Sequence, residues 1–253
     1  MRLVPINSSQ SFSSDKLAGR LRSVCFATAL TGLVFLSPVV VQPTTAATCF
    51  GSDIDFLSAG SLACGPGAST FFAIGSAAIG PGASANFSAG SLAVGPLSDA
   101  DGSIAGTAIG LGATVRGFGS TSVGSGAGVG ASGNQNTFVG FGAGAGSSGD
   151  NNSVFGSGSG IGISGSNNTI IGAGSGFVVF GDGNTTNGTG SGNFVFGDGN
   201  TAIGALSGNG VGGDANTAIG VASGNLVDGN GNQAIGTGSG NGVVGDANQV
   251  SGT

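Results

Sequence analysis

The side chains able to do chemistry are few and regularly spaced. Asp53/Asp55 and Asp99/Asp101 are close carboxylate pairs, the kind of spacing that general acid–base work uses. They stand almost alone, because the 253-residue chain has no His and no Glu, and its single Lys is Lys16. Carboxylates in Gly/Ser-rich segments are most often turn formers or solvated groups. The sequence therefore assigns no catalytic residue, no metal ligand and no cofactor, and predicts a non-enzyme.

A second carboxylate pattern points to calcium. "GDGN" at 181–184 and 197–200 and "GDAN" at 213–216 and 245–248 resemble the Asp-bearing turns of RTX calcium rolls. Those rolls repeat every nine residues, whereas Asp here returns once per 16, so the turn-forming reading is favoured. Thr137, Thr169, Thr185, Thr201 and Thr217 form a hydroxyl column of the kind that can match an ice lattice. The column is one Thr wide and is interrupted by Ser153, Gln233 and Gln249. Cys49 and Cys64 lie 15 residues apart. In an oxidising compartment they are candidates for a disulfide; two unpaired small residues are the alternative.

The charges say where the chain goes and what it avoids. Four of the five basic residues (Arg2, Lys16, Arg20, Arg22) precede an apolar run that ends in small residues near Ala46 and Ala47. That order predicts a secretory signal over 1–47, cleavage, and export to a bacterial cell surface or the medium. The remaining chain holds ten Asp against Arg116. Such an acidic balance disfavours nucleic acid and anionic membrane surfaces as partners. No apolar stripe persists at helical spacing, and no membrane-spanning segment is predicted in the mature chain.

What must position these residues is a repeat. From Asn136 the sequence returns every 16 residues without insertion. Its first column is Asn136, Asn152, Asn168, Asn184, Asn200, Asn216, Asn232 and Asn248. Its fifth is Gly140, Gly156, Gly172, Gly188, Gly204, Gly220, Gly236 and Gly252. Two apolar columns accompany them, the fourth (Val139, Phe155, Ile171, Ile203) and the twelfth (Ile163, Val179, Val195, Val211), eight residues apart. This predicts two short strands per coil, with those columns facing each other across a thin interior. The invariant Asn suits either an amide ladder or a plain turn residue. Upstream, "SLACG", "SAAIG", "SLAVG", "GTAIG" and "STSVG" end at Gly65, Gly80, Gly95, Gly110 and Gly124, a shorter period. The predicted organisation is a signal peptide at 1–47, a solenoid of 14–15-residue repeats at 48–124 and one of 16-residue repeats at 125–253. The fold class is all-β, a parallel β-roll or β-solenoid of 14–16-residue coils. A coil this small encloses little apolar volume, so side chains such as Phe180, Phe194 and Phe196 are expected on an outer face that association would cover.

These repeats resemble the YadA-like heads of trimeric autotransporter adhesins. The likeness rests on small residues followed by "AIG" or "AVG", as in Ser76–Gly80 and Ser91–Gly95, and on the longer "NTAIG…SG" phrase. It covers residues 56–253, nearly the whole chain after the signal, and takes in head repeats only; stalk and membrane anchor are not present. The resemblance implies a left-handed roll, a homotrimer, and attachment of bacteria to host, extracellular-matrix or environmental surfaces. A structural coat solenoid, a calcium roll and an ice-binding solenoid are the alternatives.

Overall fold

The computed structural model describes residues 59–252. The predicted export signal, Cys49 and the Asp53/Asp55 pair lie outside the described residues. Among the described residues there is no helix, and every strand pairing is parallel.

Thirteen three-residue strands, from Leu62–Cys64 to Gln249–Ser251, form one long sheet. Each strand pairs with its copy one coil further on, in unbroken register: Leu62 with Ala77, Thr121 with Thr137, Thr185 with Thr201. Twelve such steps at the usual ~4.8 Å strand spacing make a stack roughly 58 Å tall. The chain is thus a parallel β-solenoid. A second sheet of five two-residue strands, from Ile163–Ser164 to Val227–Asp228, forms the opposite wall of the 16-residue coils. Isolated parallel bridges extend it to Ser132 and Val244. In the 15-residue coils two lines of single bridges, Ser69–Ser84–Asp99–Thr114 and Ala59–Ile74–Ala89–Ile104, take the place of that wall.

Glycine makes the tight coil possible in two ways, both visible at Gly172. Its φ is +131°, a conformation L side chains rarely adopt. A Cβ there would also lie inside contact distance of the Gly188 carbonyl in the coil above. The fifth column is therefore Gly for stacking as much as for turning.

The interior differs between the two repeat lengths. Inside the shorter coils it is almost all alanine: Ala78, Ala83, Ala93, Ala100, Ala108 and Ala113, closed by Val115. From Ala131 onward a separate cluster holds larger side chains, including Phe138, Val154, Ile163, Ile170 and Val179. The twelfth column is buried, as its apolarity requires: Ile163, Val179, Val195, Val211 and Val227 are nearly inaccessible.

One expectation is corrected. The fourth column does not face the twelfth. Phe155, Ile171, Ile203, Ile219 and Ile235 point outward and are 37–46% exposed. The inward residue is the third: Phe138, Val154, Ile170, Thr186, Ala202, Ala218 and Ala234. Side chains alternate along a strand, so with the middle residue facing in, the residues on either side of it face out. Columns nine residues apart, such as Ile170 and Val179, line the two walls.

Candidate functional site

Three ladders of polar side chains run up the stack, one inside and two outside. The inside ladder is the Asn column, whose members from Asn136 to Asn232 are at most 5% exposed. In a complete rung, Asn168 Nδ2 donates to Asn152 Oδ1 at 3.1 Å and to the Gly181 carbonyl at 3.0 Å. Its Oδ1 then accepts from the backbone N–H of Asn184 at 2.9 Å and from Asn184 Nδ2 at 3.1 Å. This decides between the two readings of the column. The left-handed turn residue is the one before it, such as Gln135, Asn151 and Asn167. The invariant Asn is a buried amide ladder.

Outside, the Asp column is a ladder as well. Ser166 N–H donates to Asp182 Oδ1 at 2.6 Å, Asp182 N–H to Asp198 at 2.7 Å and Asp198 N–H to Asp214 at 2.8 Å. These carboxylates thus serve the backbone of the coil below. Among the described residues no group of three or more His, Cys, Asp or Glu side chains converges to hold a metal ion.

The third ladder was not anticipated. Asn193, Asn209, Asn225 and Asn241 each accept a backbone N–H from the preceding coil, from Phe177 N–H at 2.7 Å to Asn225 N–H at 2.8 Å. Its signal was in plain view, as "SGN" recurring at 191–193, 207–209, 223–225 and 239–241. The Ser of that phrase matters too. Ser191 and Ser207 are fully buried, and each hydroxyl closes a turn on the glycine carbonyl three residues back at 2.8 Å.

The outward face of the long sheet carries a surface repeated at every coil. Thr107, Thr121, Thr137, Ser153, Thr169, Thr185, Thr201 and Thr217 stand in register on successive strands. Beside them runs the apolar fourth column, broken once by Asn187. Far less extensive is the aromatic patch on the opposite wall. There Phe180 and Phe196 stack at 5.5 Å and Phe177 meets Phe194 edge-on at 5.7 Å. Gly212 and Asp228 occupy the Phe180 position in the next coils and end the patch.

Of the remaining candidates, Cys64 is disulfide-bonded. Asp99 and Asp101 share a turn in which Asp101 N–H donates to Asp99 Oδ1 at 2.9 Å. Asp101 in turn accepts from Asn86 N–H at 2.6 Å. Burial holds the Asp99 carboxyl above its ordinary value. The Asp101 hydrogen bond lowers it, the Asp101 charge raises it, and the Arg116 charge lowers it. With its oxygen committed to this turn, Asp99 has the place of a structural group. No helix of the described residues is long and apolar enough to cross a membrane. Comparison of the chain with protein-family models and with curated proteins gives no match.

Proposed function

We propose that the protein is a non-catalytic adhesive solenoid, exported by a bacterium and attaching it to host, extracellular-matrix or environmental surfaces. The observation that carries this is repetition on several sides at once. Thr and apolar columns line the long sheet, while Asn and Asp ladders line the turns. One side can seat partner chains and the others can meet a surface. The resemblance to YadA-like heads supports three chains in one head. Weak contacts repeated at every coil gain strength through avidity when several engage together. The test is serial deletion. In a solenoid each coil touches only its neighbours, so removing whole 16-residue units leaves the rest stacked. Binding to collagen, fibronectin, or plant or epithelial cell surfaces is expected to be saturable and to weaken steeply as coils are removed. Binding that is absent, or equal for eight and three repeats, overturns the reading in favour of a structural coat.

The in-register Thr run beside an outward apolar column favours one second reading, an ice-binding face. Thermal hysteresis from the isolated chain would support it, and a chain without hysteresis excludes it.

A further inference from the structure

Along the inward column of the long sheet, side-chain size falls abruptly. Phe138, Val154 and Ile170 are followed by Thr186 and then by Ala202, Ala218 and Ala234. The coil length stays at 16 residues and the facing column stays valine. Space therefore opens between the walls from Thr186 onward, beginning at Asn184, Thr186 and Val195 and running past Ala202 and Ala218 to Ala234. About 10 Å³ of it is open to the centre of a water molecule. That is about the ~10–15 Å³ that one buried water requires.

Thr186 is 1% exposed and lines this cavity. Among the described residues, its Oγ1 is the one buried side-chain oxygen or nitrogen without a hydrogen-bond partner. A buried hydroxyl left without a partner is costly, so this one calls for a partner. The amide ladder is incomplete at the same level. Asn184 and Asn216 each donate Nδ2 to the Oδ1 below at 3.1 Å, whereas Asn200 donates Nδ2 only to the Gly213 carbonyl at 2.9 Å. Asn152, one coil above the foot of the ladder, likewise donates only to a glycine carbonyl. Asn184 Oδ1 consequently keeps a lone pair beyond the one taken by Asn200 N–H at 2.9 Å. Both polar partners line this space, which has room for one molecule.

We propose that the solenoid holds an internal water at this point, bound to Thr186 Oγ1 and the free lone pair of Asn184 Oδ1. The water completes the polar ladder where the core changes from large to small residues. This does not depend on the adhesive reading. The test uses the full chain, methyl-labelled, with water-to-methyl magnetisation transfer in NMR. A long-lived water signal is expected at the Thr186 and Ala202 methyls. Thr186→Val, which keeps the shape and removes the hydroxyl, is expected to lose it. Thr186→Ser is expected to keep it at Ala202. Absence of the signal in the wild type, or its survival in Thr186→Val, overturns the proposal. Should Thr186→Val not fold, xenon pressure on the wild type decides. Xenon-induced shifts at Ala202 and Val195 mean a dry cavity and overturn it, while unshifted methyls beside a water signal sustain it.

Discussion

At Asn168 one side chain holds three coils together, and its chemistry can be separated from its conformation. Asp is as good a turn former as Asn, so a turn residue would tolerate Asn168→Asp. A ladder amide would not. The two bonds from Nδ2 to Asn152 Oδ1 and the Gly181 carbonyl would be replaced by a carboxylate oxygen facing two acceptors. Each buried polar group left unpaired costs about 1–3 kcal/mol. Asn168→Asp is therefore expected to lower stability by at least ~2 kcal/mol, as much as Asn168→Ala or more, in reversible urea unfolding. A tolerated Asp would return the column to the turn reading. Asp99 offers a second test at this scale, in pH. Its folded-state carboxyl lies above the ordinary value of 3.8, chiefly through burial. The folded state thus binds the proton more tightly than the unfolded one, and stability from this group rises as pH falls. The gain begins as pH drops through the raised value and is complete below 3.8. Asp99→Asn keeps an acceptor for Asp101 N–H and abolishes the titration. It is expected to be more stable than the wild type at pH 7 and to lose that advantage on acidification. A difference independent of pH would contradict this account.

The strands and turns show how like charges can be stacked. Asp182, Asp198 and Asp214 recur once per coil, about 4.8 Å apart, where two charges repel by ~0.9 kcal/mol even in water. Each also accepts a backbone N–H from the coil below at 2.6–2.8 Å. A hydrogen bond to a charged group contributes ~1.5–3 kcal/mol before exposure weakens it, so the bond outweighs the repulsion and the column persists. Salt screens the repulsion and leaves the short bond largely intact. Melting temperature is expected to rise with sodium chloride, with calcium doing no more than magnesium. Asp198→Asn, which keeps the acceptor and removes the charge, should melt higher at low salt and respond less to it. A large calcium-specific rise would favour a calcium roll. The same columns show what could be read from sequence. The strands, their register and the coil length follow from residues invariant at a fixed period, because stacking forces each copy into the same environment. The facing of the columns did not follow. Ile171 and Ile203 look like core by type, yet the residue before each, Ile170 and Ala202, faces in, and alternation turns them outward. Turns were under-read as well. Val178, Phe194 and Leu226 adopt φ near +59° at a position that is Gly162, Gly210 and Gly242 in other coils. Composition cannot reveal a strained turn when neighbouring coils dictate its path.

For the whole molecule, the outward apolar column raises the question of what covers it. Ile79, Phe155, Ile171, Ile203, Ile219 and Ile235 are each more than a third exposed along one side of the stack. An apolar stripe of this kind, interrupted only at Asn187 between Phe155 and Ile235, marks an association surface more often than a free one. The aromatic patch around Phe180 and Phe196 is confined to a short stretch, so it serves a local contact better than a lengthwise one. Light scattering on residues 48–253 is expected to report three chains. Asn187 already occupies the column in a properly stacked coil, its strand paired on both sides. Ile203→Asn with Ile219→Asn should therefore preserve the fold, seen as an unchanged strand signal in circular dichroism, while shifting the trimer towards monomer. A single substitution at the opposite wall, Phe196→Gly, copies the Gly212 of the next coil and should leave the trimer intact. If the unsubstituted chain is a folded, monodisperse monomer, the stripe has no partner chain. The Thr and Ile columns are then open to solvent along their whole length, the condition under which a lattice-binding face can act.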